Sequence, residues 1–409
     1  MSLLSSLLLL IVVARLFGRL FARYNQPELI GEILAGVLLG PAILGLIEPN
    51  KALAGVTELA VFLIILNAGL EMRFSDIVGA MKGRGLLLAA ISFFIPFGGG
   101  VLVAAAFGQD IMRMIFLGLC ISITALPVAV KLMDSLGILH TPIAKFSLAT
   151  AVVNDVAALF ILGIVLNLPE TLTLGDTGQA VGIATLKLLA LGLVVVGLNQ
   201  LLNWLEKRNV NVQALPESMI RVFGPEALFG IVVVFVLVFG TISEALGFHF
   251  VIGAFFGALF LDKKHFIASR YKDLQNSLGS ITNGFLAPIF FAYLGLELQL
   301  VSLSEWDFPL IVILVSIVTK LFAGWLGGLM VGMDHRESLG LGAVLNGRGV
   351  MELVVAGIAY QNGFIGPTMF STLVLMGIVT TFLTPIFFKQ VYRGNRLEEY
   401  RQASRQEIQ

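Results

Sequence analysis

Charge is scarce in this 409-residue chain. Asp, Glu, Lys and Arg make up 13% of it, and the two signs cancel to a net charge of zero. No basic run or stripe suggests a nucleic-acid partner. A single cysteine, Cys120, excludes an internal disulfide framework. The four histidines, His140, His249, His265 and His335, stand at loops or at the ends of apolar runs, without metal-ligand spacing. No GxxxxGK[ST] string is available to cradle a nucleotide phosphate, and nothing points to ATP hydrolysis. The chain is therefore expected to be no enzyme and to carry no cofactor.

What the chain has is apolar surface. Hydrophobic residues form 57% of it and the mean hydropathy is +0.95, far from the balance of a soluble domain. Apolar segments run near 3–22, 28–47, 52–71, 86–107, 112–131, 142–168, 179–204, 225–245, 247–261, 281–300, 307–332, 337–361 and 366–388. Each is compatible with the ~20 residues of a crossing helix, so an all-α polytopic membrane protein of about 13 transmembrane helices is expected. With the N-terminus outside, only Lys51 and Arg113 fall on the outer side, and Lys187, Lys320 and Arg348 fall within spans. Every other Lys and Arg is on the inner side, which supports a cytoplasmic C-terminus in a plasma (inner) membrane. The first segment lacks a basic n-region and a small-residue cleavage site, so it reads as a retained helix. The tail at 392–409 is too short to fold alone, and no soluble regulatory domain is expected.

Two strings of the first half recur in the second. Ile30 to Leu39 resembles Val251 to Phe260, and Ala68-Gly69-Leu70-Glu71-Met72 resembles Leu294-Gly295-Leu296-Glu297-Leu298, at offsets of 221 and 226 residues. The expected topology puts Glu71 at the inner edge and Glu297 at the outer edge, so the copies would be inverted. The organisation expected is one membrane domain over 1–409, with inverted repeats at about 28–168 and 247–388 and connecting helices at 179–245. Two spans are interrupted at corresponding places. The fifth breaks at Thr124-Ala125-Leu126-Pro127, where Pro127 removes a backbone donor, and the twelfth breaks at Asn346-Gly347-Arg348-Gly349. Unwound backbone at membrane depth must line a cavity or be buried in protein, so paired breaks point to a binding site.

The Asn154-Asp155 pair lies in the middle of the 142–168 segment. A carboxylate at such a depth costs roughly 2.5–3.5 kcal/mol on insertion scales, which marks a functional position. One group that holds a proton or an alkali cation, but never both, is the minimum machinery of an exchanger; a structural Asp neutralised by a Lys or a helix cap is the alternative. Asn154 projects about 100° away from its neighbour on a helix, suited either to packing or to orienting a ligand. Lys320, at similar depth, either pairs with Asp155 or holds a negative helix end. Arg348 and Glu352 are spaced i, i+4 and can form an ion pair that locks the second break or takes part in ion binding. Thr124 offers a hydroxyl among unwound carbonyls, or is a small residue tolerated at a kink. Glu71 and Glu297 read as solvated helix-end carboxylates, and Glu32 and Glu244 are ambiguous.

Pro27 to Pro41, Ala68 to Met72, Thr124-Ala125-Leu126-Pro127-Val128, Asn154-Asp155 and Asn346-Gly347-Arg348-Gly349-Val350-Met351-Glu352 together resemble the monovalent cation:proton antiporter superfamily, in order along the whole chain. The resemblance implies a scaffold domain that also forms a homodimer, and a core domain with two crossed discontinuous helices that moves to expose an ion site to alternate sides. It implies that Asp155 carries the proton and the cation, Na+ or K+, with Asn154 beside it, Thr124 at the crossing and Lys320 as the buried compensating charge. An Asn-Asp pair implies electroneutral exchange, although a buried Lys also occurs in electrogenic members. Many relatives carry a C-terminal nucleotide-binding regulatory domain; here regulation would fall to the tail, to a separate subunit or to pH. Two other readings stand beside this one: a sodium-coupled organic solute symporter on the same architecture, and a channel or membrane subunit of a larger complex. The first needs a polar cavity for which few Ser, Asn or Gln lie between the breaks, and the second needs rings or filters rather than one titratable carrier.

Overall fold

The computed structural model describes residues 2–24, 26–71, 83–124, 129–130, 132–133, 136–139, 141–167, 174–208, 217, 221–224, 227–261, 266–299, 306–393 and 400. Among them every regular element is helical: α1 Leu3–Arg23, α2 Glu28–Leu39, α3 Lys51–Glu71, α4 Arg84–Ala106, α5 Ile111–Ser122, α6 Pro142–Val165, α7 Leu174–Lys207, α8 Ala227–Ala245, α9 Phe250–Phe260, α10 Ala268–Ile281, α11 Ala287–Leu296, α12 Asp307–Met330, α13 His335–Leu345, α14 Val350–Gln361 and α15 Pro367–Val391. A π-helical turn, Thr282–Leu286, joins α10 to α11. Each expected apolar segment contains a helix. Nine helices among the described residues are long and apolar enough to cross a bilayer, ten if the bent pair α13–α14 counts as one span. The count falls below 13 because α2, α5 and α9 have 12, 12 and 11 residues. At 1.5 Å per residue such helices fall short of a ~30 Å hydrocarbon core. The chain is an integral membrane protein.

Helix starts follow local chemistry. Asp110 caps α5 by accepting from the Arg113 amide at 2.9 Å. Asp334 and Glu337 form a reciprocal capping box at α13. Thr141 accepts from the Ala144 amide at 3.4 Å ahead of Pro142, a residue suited to a first helical turn. Outward faces are apolar and inward faces are small or polar. On α12, Leu314, Val318 and Phe322 are exposed while Ser316, Lys320 and Gly324 are buried. That pattern suits lipid as the solvent, where close backbone packing replaces the hydrophobic effect.

The chain divides into two compact units, Met1–Ala54 with Val78–Ala158 and Pro288–Gln409, and Gly55–Ile77 with Leu159–Ala287. In the first, α12 packs on α4, α13 and α15, and α5 packs on α4 and α14. A Cβ on Gly324 would overlap the Gly342 backbone, so α12 and α13 touch backbone to backbone one turn from Lys320. In the second unit, α9 packs on α8 and α7, and Tyr271 donates to the Leu70 carbonyl at 2.6 Å. The recurring strings pack crosswise. Gly36 of the first string abuts Ala292 and Gly295 of α11 within unit one, and Ala258 of α9 abuts Gly69 of α3 within unit two. Ala125, Pro127 and Met72 lie outside the described residues, as do 394–399 and 401–409.

Adding a methyl at Gly324 or Gly342 has no room without moving backbone, and overpacking of this kind costs about 1–3 kcal/mol. Gly324→Ala is expected to lower the thermal midpoint of the detergent-purified protein, whereas Gly98→Ala, which meets open space, leaves it level or higher. Equal midpoints for the two variants would remove the close approach from the account.

Candidate functional site

The site is built where two helices end inside the first unit. Helix α5 stops at Ser122, and Ile123 turns extended with φ −67° and ψ 144°. Helix α13 stops at Leu345, and α14 resumes at Val350 after a 42° bend. The Thr124 hydroxyl donates to the Leu345 carbonyl at 3.1 Å, so the two breaks meet. Both arriving helices present C-terminal carbonyls there, the negative ends of their dipoles.

Two fully buried cations answer that charge. Lys320 Nζ donates to the Ser122 carbonyl, to Thr124 Oγ1 at 2.9 Å and to the Ser92 carbonyl at 3.1 Å. Arg348 Nη1 donates to the Cys120 and Ile123 carbonyls at 2.9 and 2.8 Å. The Ser92 carbonyl is available because Pro96, four residues on in α4, has no N–H to offer it. Arg348 Nε also lies 3.9 Å from Glu352 Oε2, an ion pair at 0% exposure on both sides. Thr381 of α15 ties the second break down: it accepts from the Arg348 amide at 3.2 Å and donates to the Arg348 carbonyl at 2.9 Å. Gly347 and Gly349 flank that residue in the non-helical stretch.

Asp155 and Asn154 sit in α6, which continues unbroken through them. Asp155 is 1% exposed, and no hydrogen bond to it is found among the described residues; its Oδ1 is buried and unpartnered. It and Lys320 are close enough to interact through space but form neither a hydrogen bond nor an ion pair within 4.0 Å. Asn154 Nδ2 donates to Ser92 Oγ at 3.2 Å, and Ser92 Oγ donates to the Ala89 carbonyl at 2.9 Å. The Asn154 Oδ1, like the Oδ1 and Nδ2 of Asn346, is buried without a hydrogen-bond partner among the described residues.

The structure thus gathers Thr124, Lys320, Arg348, Glu352 and the Leu345 end around the two breaks, and links Asn154 to the same cluster through Ser92. Glu244 is exposed, Glu32 is buried in α2, and Glu297 follows α11 with a buried Oε2. Among the described residues no group of three or more His, Cys, Asp or Glu side chains is placed to hold a metal ion. Ser92, Ser122 and Thr381 carry no charge and no motif, so sequence reasoning passed over them. Pro96 within an apolar span was the usable signal, since it implies a free carbonyl at position 92.

Short helices broken at membrane depth, with buried ionisable side chains at the breaks, define a polytopic transport protein of the discontinuous-helix kind. The sodium/hydrogen exchanger, transmembrane, family model matches residues 7–393, and the chain belongs to that family. It is 25% identical to the Na(+)/H(+)-K(+) antiporter GerN of Bacillus cereus, over 94% of this chain and 95% of that one. It is 27% identical to the Na(+)/H(+) antiporter NhaS4 of Synechocystis, over 95% and 97%, and 28% identical to a Na(+)/H(+) antiporter of Enterococcus hirae, over 94% and 98%. The fold is also that of the sodium proton antiporter MjNhaP1 of Methanocaldococcus jannaschii, with a TM-score of 0.72 over 97% of this chain and 98% of that one at 16% identity.

Removing the Lys320 ammonium leaves the Ser122 and Ser92 carbonyls without their donor in a dry interior, a loss of roughly 2–4 kcal/mol. Lys320→Met is expected to lower the thermal midpoint clearly, and Lys320→Arg, which keeps a donor, to lower it less. A Lys320→Met protein as stable as the parent would show that the ammonium is not what holds the end of α5.

Proposed function

We propose that the chain exchanges a monovalent cation, Na+ or K+, for H+ across the membrane by alternating access, with Asp155 holding the two in turn. The observation that carries this reading is the contrast between the buried charges. Lys320 and Arg348 donate to helix-end carbonyls, and Glu352, though neither of its oxygens is hydrogen-bonded, has the Arg348 guanidinium 3.9 Å away as a counter-charge, while Asp155 is buried with neither an ion pair nor a hydrogen bond among the described residues. A bare carboxylate in such a place is too costly to persist, so it binds either a proton or a cation. Competition for that one group couples the two fluxes without any further device. The relatives' names, Na(+)/H(+) antiporter and Na(+)/H(+)-K(+) antiporter, support the pair of ions.

In this reading Asn154, next in sequence to the carrier, and Thr124, bonded to Lys320 at 2.9 Å, are the neutral polar groups of the site. Lys320 and Arg348 neutralise the helix ends so that the site itself needs only one charge, which supports electroneutral exchange with Asn154 in place of a second acid. The crosswise packing of Gly36 with Gly295 and of Ala258 with Gly69 supports an inverted repeat, 28–168 against 247–388, as the source of two alternate openings. The same reading has the chain as a homodimer in the plasma membrane with the N-terminus outside and the C-terminus cytoplasmic, and leaves room for a separate regulatory subunit.

In proteoliposomes loaded with a pH dye, pulses of Na+, K+ or Li+ are expected to drive proton movement that Asp155→Asn reduces at least 100-fold. The initial rate is expected to be the same with and without a clamped membrane potential. Exchange that survives Asp155→Asn would overturn the carrier assignment, and a rate that follows the clamp would overturn electroneutrality.

A further inference from the structure

We infer that Ser92 is a positioning residue for the exchange site, acting through Asn154 to set cation affinity; this rests on the carrier role of Asp155 given above. Ser92 is 0% exposed and holds two partners from different helices with two different oxygens. Its backbone carbonyl, released from α4 by Pro96, accepts from Lys320 Nζ at 3.1 Å. Its hydroxyl touches Asn154 of α6 at 3.2 Å.

The direction of that second contact follows from a count of protons. A serine hydroxyl has one, and Ser92 spends it on the Ala89 carbonyl at 2.9 Å. What it presents to Asn154 is therefore a lone pair, which only the amide nitrogen can use. Ser92 thereby decides which way the Asn154 amide faces, a choice that heavy-atom positions alone do not make. With Nδ2 engaged, Oδ1 is left as a buried acceptor with no hydrogen-bond partner, next in sequence to the unpartnered Oδ1 of Asp155. A buried amide oxygen left open beside the carrier's own helix turn suits a dehydrated hard cation or its remaining water, whereas an amide turned the other way would present N–H donors and repel it. Because the same residue also anchors Lys320, the Pro96 turn of α4 sets the compensating charge and the neutral ligand in one register.

The test is a set of purified variants assayed for cation-driven exchange in proteoliposomes with Na+ and with K+. Ser92→Ala removes the hydroxyl and keeps the carbonyl. It is expected to raise the half-saturating cation concentration at least fivefold, more than it lowers the maximal rate. Ser92→Thr, which keeps the hydroxyl, is expected to restore it to within twofold of the parent. If Ser92 works through Asn154, adding Ser92→Ala to Asn154→Ala changes the half-saturating concentration no further, a double-mutant result that general packing damage would not give. The inference is overturned if Ser92→Ala matches the parent, if Ser92→Thr fails to rescue it, or if the two effects add. The thermal midpoint of each variant separates loss of fold from loss of affinity. Asp155→Asn separates the two readings: exchange that persists in it removes the carrier, while a dead Asp155→Asn beside a normal Ser92→Ala removes only the positioning role.

Discussion

A helix end without donors, placed where no water can reach it, exposes carbonyls that cost several kcal/mol apiece. This protein ends two helices at one place, after Ser122 and after Leu345, and the surrounding structure compensates that cost. The ammonium of Lys320 and the guanidinium of Arg348 cover the carbonyls of Ser122, Cys120 and Ile123, and the Thr124 hydroxyl covers that of Leu345. Each cation needs a helix that can come close enough to deliver it. Gly324 and Gly342 bring α12 against α13, and Pro96 opens α4 at the turn where Lys320 arrives.

Once the helix ends have their cations, the remaining buried charge is read differently. Glu352 lies 3.9 Å from Arg348, in the first turn of α14 just after the second break. Asp155 is in an intact helix, outside both breaks, and nothing among the described residues hydrogen-bonds to it. A salt bridge between Asp155 and Lys320 would have joined the two buried charges into one unit. The geometry instead separates them, with Lys320 held by two backbone carbonyls and the Thr124 hydroxyl. In the proposed exchange that separation would leave the carboxyl group free to exchange its own ligand while the helix ends stay neutralised.

Much of this was legible in the sequence, and the rest was hidden for physical reasons. Apolar length marked the spans, proline and glycine in mid-span marked both interruptions, and the i, i+4 spacing of Arg348 and Glu352 made their pairing readable. Short helices such as α2 and α9 were harder, because a long apolar segment does not say where the helix inside it stops. The partners of Lys320 were out of reach altogether, since they are backbone carbonyls and every residue has one. Ser92 and Thr381 were missed for a related reason: a lone hydroxyl in an apolar span usually bonds back to its own helix, as Thr380 does to Met376, and only the fold reveals which ones reach across.

The central claim is that one buried carboxyl group holds a proton or a cation and never both. Calorimetric titration of the detergent-purified protein with Na+ or K+, repeated in buffers of different ionisation heat, measures the protons released for each cation bound. The account predicts about one proton released per cation at a pH where the site starts protonated, and none, with no binding, in Asp155→Asn. Cation binding that releases no proton in any buffer, or that persists in Asp155→Asn, would contradict it.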